Sequence, residues 1–155
     1  MKFSIIIPLF NEAENIDMLN NELISSILDI QKSQQYNFEI IYVDDGSSDD
    51  TLTKLKNLNN SINTVIVKNF KNLSQSKSIL NGIEVSSNEN IILLDGDLQN
   101  DPKDIKKMIE LYVKEKDIIV HGFRKFRKDP YLTKILPSKI ANYIVRIFTN
   151  SKILD

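Results

Sequence analysis

Cysteine is missing from all 155 residues. That excludes a disulfide framework and any zinc site built on thiolates, and it fits a reducing compartment. Long apolar runs are missing as well: none reaches the roughly 18 residues of a membrane span. The first run, "SIIIPLF", is too short and too near the terminus to be the apolar region of a signal peptide, and polar "NEAEN" follows it. The chain itself is expected to be soluble. Internal repeats and low-complexity linkers are absent. Strong charge of one sign is absent too: the formal net charge is −1, so the chain as a whole is not a nucleic-acid binder by charge. No G-x-G-x-x-G follows the first apolar run, and no G-x-x-x-x-G-K-[ST] occurs anywhere. A bound diphosphate would therefore have to rest on a metal and on cationic side chains, with Lys71, Arg124, Lys125, Arg127 and Lys128 available. The one histidine, His121, reads first as a structural residue at the end of a strand.

What is present suits one globular domain with a real core: 41% hydrophobic and 26% charged residues. The charge is unevenly placed. Residues 1–120 carry 12 basic and 19 acidic side chains, and residues 121–155 carry 8 basic and 2 acidic. The pattern divides the chain into a core over 1–122 and a basic amphipathic segment over 123–155.

Apolar runs alternate with helical periodicity. "FSIIIP", "FEIIYVDD", "NTVIVKN", "NIILLDGD" and "DIIVHG" read as five strands. Between the first two, Asn11 is expected to cap a helix, with Glu14 completing a capping box. Ile16, Leu19, Leu23, Ile27 and Ile30 form its apolar face. Ser47 or Ser48 is expected to cap a second helix carrying Leu52, Leu55 and Leu58. A third helix over about 74–87 carries Ile79, Leu80 and Ile83. Asp101 and Pro102 are expected to open a fourth, with Ile105, Met108, Ile109, Tyr112 and Val113 on its buried face. Such alternation implies an open, mainly parallel, Rossmann-like α/β sheet flanked by helices, with ligands at the carboxyl ends of the strands.

Three strands end in polar residues that should gather along that edge: "PLFNE", "VDDGSSD" and "LDGDLQ". Asp44 suits a turn or a ligand equally. Asp45 suits a hydrogen bond from a base or ribose, and Gly46 lets backbone approach a ligand. Asp95-Gly96-Asp97 places two carboxylates around a glycine at a strand end. Hard oxygen ligands of this kind suit Mg2+ or Mn2+, which would also bind a diphosphate. The competing reading is a turn with solvated acids.

"SIIIPLFNEAENI", "FEIIYVDDGSSDDT", "KNLSQSKSILNGI" and "IILLDGDLQNDPKDI", in this order, resemble the nucleotide-sugar domain of inverting family 2 glycosyltransferases, which have the GT-A fold. The subgroup resembled is the polyprenyl-phosphate glycosyltransferases, which includes dolichol-phosphate mannose synthase-like enzymes. "GFRKFRKDPYLTKILPSKIANYIVRIFTN" is similar to the continuation of that subgroup, so the likeness covers nearly the whole chain. By matching position, the resemblance implies that Pro8, Phe10 and Glu12 line the nucleotide pocket. It implies that Val43 and Asp45 contact the base, and that Lys71 serves the donor site. Asp95, Gly96 and Asp97 would bracket sugar and diphosphate. Asp95, Asp97 and Gln99 would hold the metal, and Arg124 would reach the diphosphate or the acceptor phosphate. The chain departs from the family at Lys71-Asn72-Leu73-Ser74, where R-N-x-G is common, and at Lys77, where a small residue is usual.

The implied reaction moves a sugar, with inversion, from a UDP- or GDP-linked donor to a polyprenyl phosphate such as undecaprenyl or dolichyl phosphate. Asp95, Asp97 and Arg124 are the implied catalytic groups, with the metal as Lewis acid and template. A phosphate acceptor is already anionic and needs no general base. A saccharide acceptor for surface polysaccharide, or a donor-binding module without activity, are the alternatives. Phosphatase and receiver domains fit poorly, because their aspartates end the first strand. "YLTKILPSKIANYIVRIF" interleaves Lys134, Lys139 and Arg146 with apolar residues, as at an anionic membrane surface; the alternative is a helix packed on the domain. Residues after "SKILD" are expected to build the acceptor side. The full-length protein is expected on the cytoplasmic side of the membrane, and homo-oligomerisation is left open.

Overall fold

Eight elements alternate through the described residues: β1 (Lys2–Leu9), α1 (Ile16–Ser33), β2 (Asn37–Asp44), α2 (Thr51–Asn57), β3 (Asn63–Lys68), α3 (Gln75–Val85), β4 (Asn90–Leu93) and α4 (Asp104–Lys114). The computed structural model describes residues 1–115 and 118–122. The four strands form one parallel sheet in the order β3-β2-β1-β4. β1 is flanked on both sides, with Phe3 opposite Phe38 and Asn90, and Ile6 opposite Ile41 and Leu93. A strand buried on both faces has no polar side to show, which is why "FSIII" lacks alternation.

Parallel strands need crossovers, and crossovers are right-handed. The chain steps from β1 to β2 to β3 in one direction, then returns to β4 on the far side of β1. The larger core joins β1 and β2 to α1 and α4, through Ile5, Ile7, Ile40, Ile16, Leu19, Leu23, Ile105 and Ile109. The smaller one, Ile6, Ile41 and Val43, faces the other way. There α3 packs through Gly82, at which a Cβ would lie 2.5 Å from Ile6 Cγ2 and 3.1 Å from Val43 Cγ2.

Buried Glu39 and Tyr42 find polar partners inside the fold. Glu39 Oε1 accepts from the Ser4 hydroxyl, the Ser87 N–H and Asn88 Nδ2, which ties the entry of β4 to β1 and β2. The Tyr42 hydroxyl donates to Asn20 Oδ1 at 3.0 Å, joining β2 to α1.

Several expectations are corrected at element ends. The five apolar positions of α1 are all buried, but its N-cap is Asn15, and Asn11 lies upstream in the left-handed region at φ 57. Asp50, not Ser47 or Ser48, is the N-cap of α2. Leu80 and Ile83 of α3 face solvent, because the small residues Ser78 and Gly82 let the helix sit close on the sheet. Val113 of α4 is likewise exposed, whereas Ile105 and Ile109 are buried. Lys103, not Asp101, is the N-cap of α4; Asp101 forms an Asx turn ahead of it, Oδ1 taking the Lys103 N–H at 2.9 Å, and Pro102 lies in the turn before the helix. The expected fifth strand is not formed over 118–122, and exposed His121 ends no strand. Among the described residues, no helix is long and apolar enough to cross a membrane. The segment 123–155, with its basic amphipathic stretch, lies outside the described residues.

Candidate functional site at the carboxyl edge of the sheet

An open cleft enclosing about 380 Å³ lies at the carboxyl edge. Pro8, Leu9, Phe10 and Glu12 line it from the end of β1, Asp45 from the end of β2, and Asp95, Gly96 and Asp97 from the end of β4. Asn72 and Gln75 complete the lining from the β3–α3 loop and the first turn of α3. The three polar strand ends that the sequence places far apart thus meet in one cavity, of a size that holds a small ligand.

The β1–α1 loop is held by the "DDGSSDD" stretch. The Asn11 N–H donates to Ser47 Oγ at 2.9 Å, the Glu12 N–H to Thr51 Oγ1 at 2.9 Å, and the Ala13 N–H to Asp49 Oδ2 at 3.1 Å. In return Asn11 Oδ1 accepts the Ser48 N–H at 2.8 Å. These bonds fix the loop that presents Phe10 and Glu12. Ser47, which looks like a cap for α2, instead satisfies backbone of the neighbouring loop, and Asp49 bonds both that loop and the first residue of α2. Burial pushes the Asp49 carboxyl up, but bonds from the Thr51 hydroxyl and the Thr51 and Ala13 N–H groups hold it below its usual range.

Asp45 is buried and does similar work on the opposite wall. Its Oδ1 accepts from Asn69 Nδ2 at 2.8 Å and the Leu73 N–H at 2.9 Å, and Oδ2 accepts the Ser74 N–H at 3.0 Å. Burial raises its pKa, and hydrogen bonds from Asn69, Leu73, Ser78 and Ser74 outweigh that, so the group stays ionised below the usual aspartate range. Ser74, at φ 93 where the family commonly has glycine, adopts the left-handed backbone with its N–H held by Asp45. Asp44 Oδ1 accepts the Ser47 N–H at 3.2 Å, the turn role; its Oδ2 is the one buried side-chain polar atom without a hydrogen-bond partner among the described residues.

Asp95 and Asp97 lie on either side of Gly96. Asp95 Oδ1 accepts from Gln75 Nε2 at 2.8 Å and Oδ2 from Asn100 Nδ2 at 2.9 Å. Asp97 Oδ1 accepts the Gln99 N–H at 3.0 Å. Neither Gln75 nor Asn100 carries a sequence signal: Gln75 is a polar residue at a helix start whose partner lies 20 residues away, and Asn100 is a polar loop residue like many others. Among the described residues, no three His, Asp or Glu side chains gather as a metal cluster.

Of the residues singled out from sequence, Pro8, Phe10, Glu12, Asp45, Asp95, Gly96 and Asp97 share the cleft. Val43 does not line it; its side chain is fully buried in the smaller core against α3. Lys71 does not line it either, and its ammonium sits 5.4 Å from the ring centre of Phe70. Gln99 is exposed outside the lining. Arg124, Lys125, Arg127 and Lys128 lie outside the described residues.

The family profile described as glycosyl transferase family 2 matches residues 4–154. Dodecaprenyl-phosphate galacturonate synthase of Rhizobium johnstonii is 35% identical over 158 residues, covering 100% of this chain and 45% of its own. Dolichol-phosphate mannosyltransferase of Pyrococcus furiosus is 32% identical over 152 residues, covering 95% of this chain and 41% of its own. The chain therefore spans less than half the length of these relatives. A crystal structure of S. aureus TarS with UDP-GlcNAc superposes with a TM-score of 0.59 at 26% identity, covering 74% of this chain and 31% of that one.

Proposed function

Because this chain belongs to glycosyl transferase family 2, we propose that the cleft binds a nucleoside diphosphate sugar and that the protein transfers the sugar, with inversion, to a polyprenyl phosphate. The observation that carries the donor site is the meeting of Phe10 and Glu12, Asp45, and Asp95 to Asp97 in one cavity. The polyprenyl phosphate acceptor is supported by relatives whose names specify one.

The residues divide the work by position. Phe10, about half exposed in the cleft, offers a ring face to a base. Asp45 is ionised and pre-oriented by its backbone partners, ready to accept a further hydrogen bond from the base. The β4 end would receive the sugar and diphosphate. Glu12, Asp45, Asp95 and Asp97 put four carboxylates on the lining and no described basic side chain. Like charges repel one another at short range in a protein cleft. A diphosphate therefore needs a cation, or basic side chains such as Arg124, to settle there.

The donor chemistry fits Mg2+ or Mn2+ in one way. Asp95 and Asp97 would supply hard carboxylate oxygens, and the donor's phosphates would supply further ones, as is usual for magnesium at nucleotide sites. Gln99 would assist through its N–H, which orients Asp97. The bound ion would neutralise charge developing on the leaving diphosphate. The acceptor phosphate is already an anion, so no general base is assigned. The acceptor is a lipid, so the protein would work at the cytoplasmic membrane surface.

Calorimetric titration with UDP- and GDP-linked sugars, with and without Mn2+, tests the donor site. Binding that strengthens with Mn2+ and is abolished by Asp97→Ala is expected. A folded protein that binds no nucleotide under any condition overturns the reading. With donor binding intact, failure to glycosylate polyprenyl phosphate in the full-length protein would overturn the acceptor assignment alone.

A further inference from the structure

The Asp95 carboxylate is held by two amides. Gln75 Nε2 donates to one oxygen at 2.8 Å and Asn100 Nδ2 to the other at 2.9 Å. A carboxylate only accepts, so both amides must present nitrogen, and each oxygen is identified by its own donor. Rotation of the carboxylate about its terminal bond is thereby fixed.

The two donors come from different elements. Gln75 opens α3 and itself lines the cleft. It follows Ser74, whose φ of 93 is costly for a residue with a Cβ. That conformation is held by the Asp45 carboxylate, which takes the N–H groups of both Leu73 and Ser74. Three consecutive residues thus brace the two acidic ends of the cleft: Leu73 and Ser74 at Asp45, and Gln75 at Asp95. Asn100 reaches the same carboxylate from the β4–α4 loop, five residues along the chain.

Amides orient a carboxylate without cancelling its charge. A lysine or arginine in their place would neutralise it and compete with a cation or with sugar hydroxyls for its oxygens. We propose that Gln75 and Asn100 are positioning residues that aim the Asp95 carboxylate at the sugar-diphosphate end of the donor. The proposal rests on the donor-site reading above and deepens it.

The test uses the full-length protein with Gln75→Met and Asn100→Leu, which keep approximate bulk and remove the N–H donors. Gln75→Glu adds a like charge. Steady-state kcat and donor KM are measured, together with Mn2+ affinity by calorimetry in saturating UDP or GDP, whichever the parent binds. Outer partners of ligating carboxylates are typically worth about 10–100-fold in metal affinity or activity. A loss of that size is expected in kcat or Mn2+ affinity for Gln75→Met and Asn100→Leu, and a greater loss for Gln75→Glu. For Asn100→Leu, whose residue does not line the cleft, affinity for the bare nucleotide without Mn2+ should hold within about 3-fold, because the Asp45 end is untouched. Parent-like kcat and Mn2+ affinity in both Gln75→Met and Asn100→Leu would overturn the proposal. So would an equal loss for bare nucleotide accompanied by a lowered Tm, which marks a purely structural role. A parent protein that binds neither nucleotide overturns the donor site itself, and this proposal with it.

Discussion

Gly46→Ala isolates the contact on which the base end of the cleft depends. Gly46 sits just after the Asp44-Asp45 pair with φ at 70, a conformation that costs a residue with a Cβ about 1–2 kcal/mol. Space adds a second penalty. A Cβ there would lie 2.5 Å from the Lys71 carbonyl carbon, 2.7 Å from Lys71 Cα and 2.8 Å from the Asn72 nitrogen. All three are backbone atoms, so no side chain can swing aside. The loop 71–73 must retreat instead, and it is the loop whose Leu73 and Ser74 N–H groups bind Asp45. A hydrogen bond to a charged group is worth about 1.5–3 kcal/mol. Conformation plus one such bond gives about 3–5 kcal/mol, against a total stability of about 5–15 kcal/mol for a domain. At this chain length that corresponds to a fall in Tm of about 6–20 °C. Calorimetric melting of Gly46→Ala should show it, along with weaker nucleotide binding. Gly122→Ala is the control, because its Cβ would meet nothing within 4 Å. A Gly46→Ala protein melting within about 2 °C of the parent, with unchanged nucleotide affinity, would refute the reasoning.

Asp49→Ala removes the acceptor for the Ala13 N–H and for the Thr51 N–H and hydroxyl. It should cost about 1–2 kcal/mol, as loss of a helix cap does, and should weaken donor binding through the loop that carries Phe10 and Glu12; an unchanged denaturation midpoint would show that the loop is held by other contacts. The pH dependence follows from Glu39, Asp45 and Asp49. For each, burial raises the pKa, and hydrogen bonds lower it further than burial raises it. Depressed folded-state values mean that the stabilisation is fully present above the ordinary values of 4.5 for Glu39 and 3.8 for the aspartates. It is lost as pH falls through the folded values below them. Denaturation curves should therefore be flat in this contribution near neutrality and shift steeply below about pH 4, and Glu39→Gln should lower neutral stability while softening that acid limb. A parent-like acid limb in Glu39→Gln would show that Glu39 is not one of the groups responsible.

Interactions within a few residues were legible from the order of amino acids. The face of α1 could be read because residues spaced three and four apart share one side of a helix. β1 and β2 could be read because strands buried on both faces are continuously apolar. The acids at strand ends marked the functional edge, since parallel α/β sheets bind ligands there. Identical local chemistry became ambiguous where partners lay farther off. Ser47 looks like a cap for the next helix, yet it bonds backbone 36 residues away, because β1 and β2 are neighbours in register and their following loops meet. Leu80 and Ile83 look like a buried stripe, yet Ser78 and Gly82 face the sheet, because close packing on Ile6 rewards small residues over apolar ones. The order of amino acids by itself determined the strand–helix alternation, the main core and the chemical character of the cleft. Only the tertiary structure decided which side chains orient its carboxylates. Periodicity and capping act within a turn or two of chain, whereas the partners of Asp45, and Gln75 as a partner of Asp95, are set by strand order and by where each loop emerges.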